Sequence, residues 1–342
     1  MCLYYVVLYG ITWFYVVITG FGGMKKYKFI DLFAGIGGFH HAFHELGAEC
    51  VFASEIDSHA RKSYEHNLKK ISPKLFKNEK FNDDILKIAY DDIEKEIPDF
   101  DILCAGFPCQ PFSQAGFKRG FNEEKDSRGN MFFKIRDIIK VKRPKAIFLE
   151  NVRHLLKHDD GKTFATIKDI IENELGYDFH YQIVKASDFG LPQHRPRLFM
   201  VGFRKEDKYN LTFTPPQKQP LKMTMSDILG GECNKKIGYT LRVGGRGSGL
   251  NDRRNWDCYL VDNQEVRLTH KEGLVMQGFP KHFEFPVSNT QAMKQLGNSV
   301  AINAIKAFGE AIIKRLNNEK PQTKNSKIND FSLNEEILKE VA

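Results

Sequence analysis

From Tyr27 onward the chain alternates apolar runs with amphipathic stretches, and this alternation restricts its fold more than any other feature. The apolar runs at 27–33, 50–54, 102–105, 146–149, 179–186 and 198–203 predict strands. Helical patterns lie between them at 40–46, 59–68, 131–141 and 163–175. Because strands that alternate with helices form βαβ units, the sequence predicts an α/β fold with a doubly wound, mostly parallel sheet.

The alternation fades after Arg204, which indicates a second region. Residues 206–267 are rich in Gly, Asn, Pro and basic side chains and predict a small, irregular domain. Helical patterns return at 271–276 and 291–313. We therefore expect one domain at 24–205, to which residues 268–316 return, and a polar tail at 317–342. The net charge of +8 favours a polyanionic partner.

The first 23 residues carry no charge and precede Met24, Lys25 and Lys26. Two interpretations stay open: a membrane anchor, and the one we favour, an apolar leader upstream of a natural start at Met24, not part of the natural protein. The six cysteines have no C-x-x-C spacing, so we expect no metal site and no disulfide framework. This usage is typical of the cytoplasm.

A glycine loop, Phe33-Ala34-Gly35-Ile36-Gly37-Gly38, joins the first strand to the first helix. Glu55 ends the second strand, where an acid can bind ribose hydroxyls. Asp84-Ile85 adds a third wall, with a carboxylate for an adenine amino group. The loop could instead serve tight packing only, but the acid favours nucleotide binding. Because the NAD fingerprint is not matched, S-adenosylmethionine, which has no phosphate, fits better.

The apolar run at 100–105 ends in Gly106-Phe107-Pro108-Cys109-Gln110-Pro111-Phe112-Ser113. Ligands bind at the carboxyl edge of such sheets, so a cysteine there can act as a nucleophile. Three further segments accompany it: Glu150-Asn151-Val152, Gln193-His194-Arg195-Pro196-Arg197 and Gln295-Leu296-Gly297-Asn298-Ser299. Taken singly, each fits a surface acid, a solvated turn or a helix cap.

Together and in this order, these segments resemble the cytosine-C5 DNA methyltransferases, in particular the compact bacterial restriction-modification enzymes. The resemblance covers about residues 28–313. It implies a Rossmann-like catalytic domain, a small target-recognition domain and S-adenosylmethionine as cofactor. It further implies a cytoplasmic monomer that flips a cytosine out of double-stranded DNA and works beside a cognate restriction endonuclease.

The resemblance assigns roles to the catalytic residues. Cys109 would add to C6 of cytosine, so that C5 can attack the methyl group. Glu150 would protonate N3, and Arg197 would hold O2. Arg195 and Asn151 would support the site. The residues expected around the cofactor are Phe33, Ala34, Gly35, Gly37, Gly38, Glu55, Ile56, Asp84, Ile85, Gly106, Pro108, Asn298 and Ser299. Ile56 departs from the family, which often has an aromatic residue there.

DNA contacts are expected from two segments. Residues 110–128 suit a lid over the DNA, and residues 239–256 hold four arginines among glycines. Arginine forked onto guanine is the commonest specific base contact, so we expect Arg242 and Arg246 to read a short G·C-containing site. They could instead only neutralise phosphates. The predicted DNA-binding residues are Gln110, Ser113, Arg128, Thr240, Arg242, Arg246, Arg253 and Arg254.

Three rival functions remain at this stage. A transfer-RNA cytosine methyltransferase would share the catalytic residues, although the Arg- and Gly-rich block and Ser113 favour DNA. A non-catalytic DNA-binding relative is disfavoured by intact Cys109, Glu150 and Arg197. An NAD-dependent dehydrogenase explains the glycine loop but gives Cys109 no role.

Overall fold

The computed structural model describes residues 26–108, 130–205 and 213–318, together with two short strands near the start. These strands, β1 (Val7–Tyr9) and β2 (Thr12–Phe14), pair antiparallel with each other. Within the described ranges, no helix has the length and apolar character that crossing a membrane requires.

A seven-stranded sheet forms the centre of the molecule. Its strands are β3 (Lys28–Leu32), β4 (Glu49–Ser54), β5 (Phe81–Asn82), β6 (Ile102–Gly106), β7 (Ala146–Val152), β8 (Tyr177–Lys185) and β9 (Pro196–Arg204). Their spatial order is β5-β4-β3-β6-β7-β9-β8. From β3 the chain first builds outward through β4 to β5, and then crosses to β6 on the other side of β3. This reversal opens a crevice at the carboxyl ends of β3 and β6, where such folds bind ligands.

The predicted sheet is confirmed, with one reversal. Strands β3 to β7 run parallel, whereas β9 pairs antiparallel with both β7 and β8. The start of β9 therefore lies at the same edge of the sheet as the end of β7, with Arg197 opposite Val152 in register. Arg195 and Arg197 reach the ligand edge by this reversal.

Helices cover both faces of the sheet, and each face packs its own apolar core. Side chains alternate along the strands, so Phe148 belongs to one core and Leu149 to the other. The helices of this part are α1 (Gly38–Glu45), α2 (Ser58–Leu68), α3 (Pro73–Lys77), α4 (Ile93–Glu96), α5 (Asn130–Lys142) and α6 (Lys162–Asp169). A π-helical turn, Ile170–Glu174, extends α6.

The region after β9 is irregular, as its composition predicts. It contains α7 (Met225–Leu229), an antiparallel hairpin of β10 (Cys258–Val261) and β11 (Gln264–Arg267), and α8 (His270–Gln277). The chain then returns along the sheet, where α10 (Ile302–Asn318) packs beside α1. The proposed domain boundaries stay predictions.

The expected single helix at 291–313 is wrong, because two helices occupy this stretch. The first, α9 (Asn289–Asn298), ends at Ser299, whose backbone is extended, and α10 begins at Ile302. The buried Arg195 guanidinium donates to the carbonyls of Gly297 (2.9 Å) and Ser299. These carbonyls therefore have a side-chain partner where a continuous helix would supply backbone N–H groups.

Candidate active site

One part of the glycine loop after β3 is tightly packed, and another part lines a cavity. A Cβ atom on Gly37 would lie 2.5 Å from Leu68 Cδ1, and one on Gly38 would lie 2.4 Å from Val300 Cγ2. Space around Gly35 is open, although its φ of +56° favours glycine. Phe33 also has a positive φ, of 55°, which is rare for an aromatic residue. Packing therefore explains Gly37 and Gly38, while Phe33 and Gly35 line a cavity.

Glu55, directly after β4, is held by two backbone donors. The N–H of Gly35 donates to Oε2 and the N–H of Asp57 donates to Oε1, each at 2.7 Å. Burial raises the pKa of Glu55, and these donors oppose the rise. The carboxylate is thus fixed on the cavity wall beside the glycine loop.

The wall around Glu55 is acidic and partly apolar. Asp57 and Asp84 also line it, and Lys294 on α9 pairs with Asp57 at 3.2 Å. Asp84 accepts a hydrogen bond from the N–H of Leu86 at 3.0 Å. Ile56 is 68 % exposed, which is unusual for a large aliphatic side chain beside a cavity. This end of the cavity is suited to a cationic or sugar-bearing ligand with a flat apolar part, and poorly suited to a pyrophosphate.

The end of β6 leads toward Cys109, which lies outside the described residues, as do Gln110, Ser113 and Arg128. Gly106 and Pro108 line the cavity. A Cβ atom on Gly106 would lie 3.6 Å from Glu150 Oε2. Gly106, three positions before the cysteine, is therefore adjacent to the candidate acid.

Glu150, near the end of β7, and Arg197, at the start of β9, form a buried ion pair. Glu150 Oε1 lies 3.0 Å from Arg197 Nε, and both side chains are mostly shielded from solvent. Burial raises the pKa of Glu150, although Arg197 and Arg195 act to lower it. A carboxyl group with a raised pKa beside a fixed guanidinium can donate a proton and stabilise a nearby negative charge.

Arg195 joins three parts of the chain. Its guanidinium is fully enclosed and donates to the carbonyl of Leu241 at 3.0 Å, as well as to Gly297 and Ser299. A Cβ atom on Gly297 would lie 2.5 Å from the carbonyl carbon of Arg242. The irregular region is therefore held tightly against the catalytic part at this point.

One cavity of about 630 Å³ connects these features. Of the predicted residues, it brings together Phe33, Gly35, Glu55, Ile56, Asp84, Ile85, Gly106, Pro108, Glu150, Asn151, Arg195, Arg197, Thr240, Arg242 and Asn298. The remaining described ones are not among its lining residues: Ala34, Gly37, Gly38, Ser299, Arg246, Arg253 and Arg254. Sequence reasoning missed Lys294, although it lies one helical turn before Asn298 and so shares its face.

The four arginines of residues 239–256 differ in their surroundings. Arg242 and Arg253 are exposed, whereas Arg254 forms an ion pair with Asp252 at 2.7 Å. Arg246 Nε lies 3.3 Å from Asp257 Oδ2 and its Nη2 donates to the Leu268 carbonyl at 2.7 Å. The predictions for these residues stay predictions.

Comparisons with known proteins agree with this geometry. The profile of the C-5 cytosine-specific DNA methylase family matches residues 27–243 and 238–314. The chain belongs to this family. It is 42 % identical to the type II methyltransferase M.SsoII of Shigella sonnei over 324 residues, covering 85 % of this chain and 81 % of the relative. It is 35 % identical to M.HhaI of Haemophilus parahaemolyticus, covering 85 % and 95 %. The resemblance seen in the sequence is confirmed, and with it the assignment as a cytosine-C5 DNA methyltransferase.

Solved structures support the fold of this methyltransferase. A candidate DNA modification methyltransferase encoded within an E. coli prophage has a TM-score of 0.65 at 20 % identity, covering 85 % of this chain and all of the other. Spodoptera frugiperda DNMT2 has a TM-score of 0.63 at 19 % identity, covering 84 % and 99 %. At these identities the likeness concerns the fold alone.

Proposed function

We propose that this methyltransferase transfers a methyl group from S-adenosylmethionine to C5 of a cytosine flipped out of double-stranded DNA. The observation that carries the proposal is the buried Glu150–Arg197 pair, which shares one cavity with Glu55 and Ile56. A cytosine would bind beside this pair, and the methyl donor would bind at the acidic end of the cavity. The chain would thus hold both substrates in one enclosure.

The residues at the acidic end fit S-adenosylmethionine. Glu55 offers carboxylate oxygens for ribose hydroxyls, and Asp84 offers acceptors for an amino group. Ile56 supplies an exposed apolar surface on which adenine can pack. Among the described residues that line this end, three carboxylates and one lysine, which is paired with Asp57, suit a positively charged sulfonium. When bound, this cofactor supplies the electrophilic methyl group.

The chain's own residues would prepare the cytosine. The thiolate of Cys109 would add to C6 while Glu150 gives its proton to N3, so that the ring's electron pair becomes available at C5. Arg197 would stabilise the charge on O2 and would also hold Glu150 in place. After methylation, a water would take the C5 proton as the thiolate leaves C6, and N3 would return its proton to the Glu150 carboxylate, which restores the aromatic ring.

Two DNA-facing segments complete the proposal. Residues 110–128, with Gln110, Ser113 and Arg128, would close over the DNA. In the irregular region, Thr240, Arg242, Arg253 and Arg254 would contact a short G·C-containing site. We further propose that the enzyme is a cytoplasmic monomer that protects this site from a cognate restriction endonuclease.

The decisive experiment is methylation of unmodified duplex DNA with labelled S-adenosylmethionine, read by bisulfite sequencing. Methylcytosine within one recurring short motif, abolished by Cys109→Ser, is the expected result. A variant that still binds the cofactor but transfers no methyl group identifies the chemical step as the one lost. No transfer by folded wild-type enzyme would refute the DNA substrate, and transfer RNA would be tested in the same assay.

A further inference from the structure

The recognition loop, defined here as residues 244–250, has a composition that predicts flexibility. Four of its seven residues are glycine, and two of these, Gly245 and Gly247, have positive φ values. Glycine-rich segments lose much conformational entropy when they become ordered. A rigid recognition surface therefore needs fixed contacts from outside the loop.

The buried segment Asn255-Trp256-Asp257 supplies contacts at both ends of the recognition loop. Trp256 Nε1 donates to the carbonyl of Gly244 at 3.0 Å, and Asn255 Nδ2 donates to the carbonyl of Leu250 at 3.1 Å. Asn255 and Trp256 are almost fully enclosed. The loop thus begins and ends on the same rigid support.

Asp257 fixes the middle of the loop through two arginines. Its Oδ2 lies 3.3 Å from Arg246 Nε and its Oδ1 lies 3.3 Å from Arg267 Nη1. Arg267 also donates to the Ser248 carbonyl at 3.0 Å, and Arg246 donates to the Leu268 carbonyl at 2.7 Å. Asp257 is fully buried, and a buried carboxylate is stable only when such donors surround it.

These contacts make Arg246 and Arg242 differ in their availability for DNA. Arg246 already uses Nε and Nη2 within the protein, so it cannot present a free fork to a guanine without breaking them. Arg242 is exposed on the cavity wall, and the described residues give its side chain no hydrogen bond or ion pair. Its backbone packs so closely against Gly297 that a Cβ atom there would lie 2.5 Å from the Arg242 carbonyl carbon.

We propose that Asp257 is a positioning residue for target recognition, which anchors the recognition loop through Arg246 and Arg267 and leaves Arg242 to contact guanine. The proposal rests on the proposed function. It changes the expected role of Arg246 from base reader to internal anchor. Specificity would then depend on a carboxylate that never touches DNA.

The test compares Asp257→Asn, Arg246→Gln, Arg267→Gln and Arg242→Gln with wild type on duplexes that carry the motif found by bisulfite sequencing. A control is Asp178→Asn, because Asp178 also lies between two basic side chains, His180 and Arg315, but on the edge strand β8 of the central sheet. Wild-type activity is measured first. If wild type methylates no DNA, this result refutes the proposed function. The proposal for Asp257 is refuted only by the variants of an active enzyme.

We expect Asp257→Asn and Arg246→Gln to raise KM for DNA about 10- to 100-fold, with kcat and the affinity for S-adenosylhomocysteine within about threefold of wild type. The double variant Asp257→Asn, Arg246→Gln should have a KM close to that of the poorer single variant, because both substitutions disrupt the same Arg246–Asp257 contact. Arg242→Gln should instead alter base preference at one position of the motif. Asp178→Asn should match wild type.

Two results would overturn the proposal. One is a change of base preference at a single position in Arg246→Gln that is absent from Asp257→Asn, since this identifies Arg246 as a reader. The other is an unchanged KM in Asp257→Asn. If Asp257→Asn does not fold, Arg246→Lys is the deciding variant. Lysine keeps the positive charge, but its amino group cannot make both contacts of the arginine. A KM between those of wild type and Arg246→Gln supports anchoring, and a wild-type KM refutes it.

Discussion

Asn151 ties the end of β7 to the segment that precedes Cys109: its Nδ2 donates to the carbonyl of Phe107 at 2.9 Å, while its Oδ1 accepts from the N–H of Val152. The bond joins the strand that carries the candidate acid to Phe107, directly after β6. One buried amide group therefore fixes the backbone just after β6 relative to the end of β7.

Asn151→Asp removes the donor to Phe107 but keeps the acceptor for Val152. We expect it to lower kcat by about tenfold or more, since a carbonyl at the site is left unsatisfied and faces a new charge. Affinity for S-adenosylhomocysteine should stay within about twofold of wild type. Single-turnover methylation and calorimetric titration measure the two quantities, and wild-type kcat in Asn151→Asp would contradict the positioning role.

Glu150→Gln should lower kcat by about 10²- to 10⁴-fold, because the amide cannot give a proton to N3. Burial raises the pKa of Glu150, so its protonated form persists to higher pH than in an exposed glutamate. Wild-type activity should therefore fall as the pH rises through this raised pKa. Residual activity of Glu150→Gln should lack that decline. A pH series of single-turnover rates is the measurement, and an identical decline in both proteins would assign it to another group.

Ile56→Ser tests the apolar platform in the cofactor end of the cavity. Since Ile56 is already exposed, the substitution should leave the melting temperature unchanged and weaken S-adenosylhomocysteine binding about tenfold. Val275→Ser is the control, because Val275 is a partly exposed aliphatic residue on α8 and is not a lining residue of the cavity. Equal affinity in both variants would exclude packing of the adenine on Ile56.

Gly297→Ala should weaken the packing of α9 against the irregular region. The new methyl group would lie 2.5 Å from the carbonyl carbon of Arg242, a contact that requires backbone movement. We expect a loss of about 1–3 kcal/mol in the free energy of unfolding and a higher KM for DNA. In Gly249→Ala the methyl group meets open space, so stability should be preserved. The free energy of unfolding of both variants is measured with denaturant. Equal values would show that the backbone at the contact between Gly297 and Arg242 can move without loss of stability.

Asp31→Asn should stabilise the protein at neutral and higher pH. Asp31 is fully buried in β3, and this burial raises its pKa well above the usual value, although the backbone N–H of His40 acts to lower it. Wild type should therefore lose stability relative to Asp31→Asn as the pH rises from the unfolded-state pKa through the folded-state pKa, by about 1–3 kcal/mol.

Thermal unfolding at several pH values checks this prediction for Asp31. Asp83→Asn is the opposite-sign control, because Lys87 lowers the pKa of Asp83 and its ionised form is the stabilising one. A variant Asp31→Asn that is less stable than wild type at every pH would mean that the ionised carboxylate has a stabilising role.

Local patterns were sufficient to predict six of the seven strands of the central sheet, the glycine loop and Glu55, because buried strands and the residues at their carboxyl ends are read directly from the sequence. The two-residue strand β5 is too short to produce such a pattern. Strand direction was not predictable in this way, so nothing in the apolar run at 198–203 indicated that β9 is reversed. The break between α9 and α10 escaped prediction as well. It depends on Arg195, a residue about a hundred positions earlier in the chain.

Arg246 illustrates the same limit within the candidate site. An arginine among glycines is typical of nucleic-acid contacts. The composition of the segment around Arg246 gives no sign that this side chain pairs within the protein. Asp257 lies eleven residues later and Arg267 twenty-one, and only the hairpin of β10 and β11 brings the three together. Side-chain pairing across such distances is set by tertiary packing.

The reversal of β9 has a consequence for how this chain tolerates insertions and deletions. Glu150 and Arg197 are diagonal neighbours across an antiparallel pair, so they share one face of the sheet only in the observed register. Removing a single residue from the start of β9 would turn Arg197 to the opposite face and leave an aliphatic neighbour, Leu198, beside the acid. Length changes at this strand should therefore be as damaging as loss of a catalytic side chain, although no chemical group has been altered.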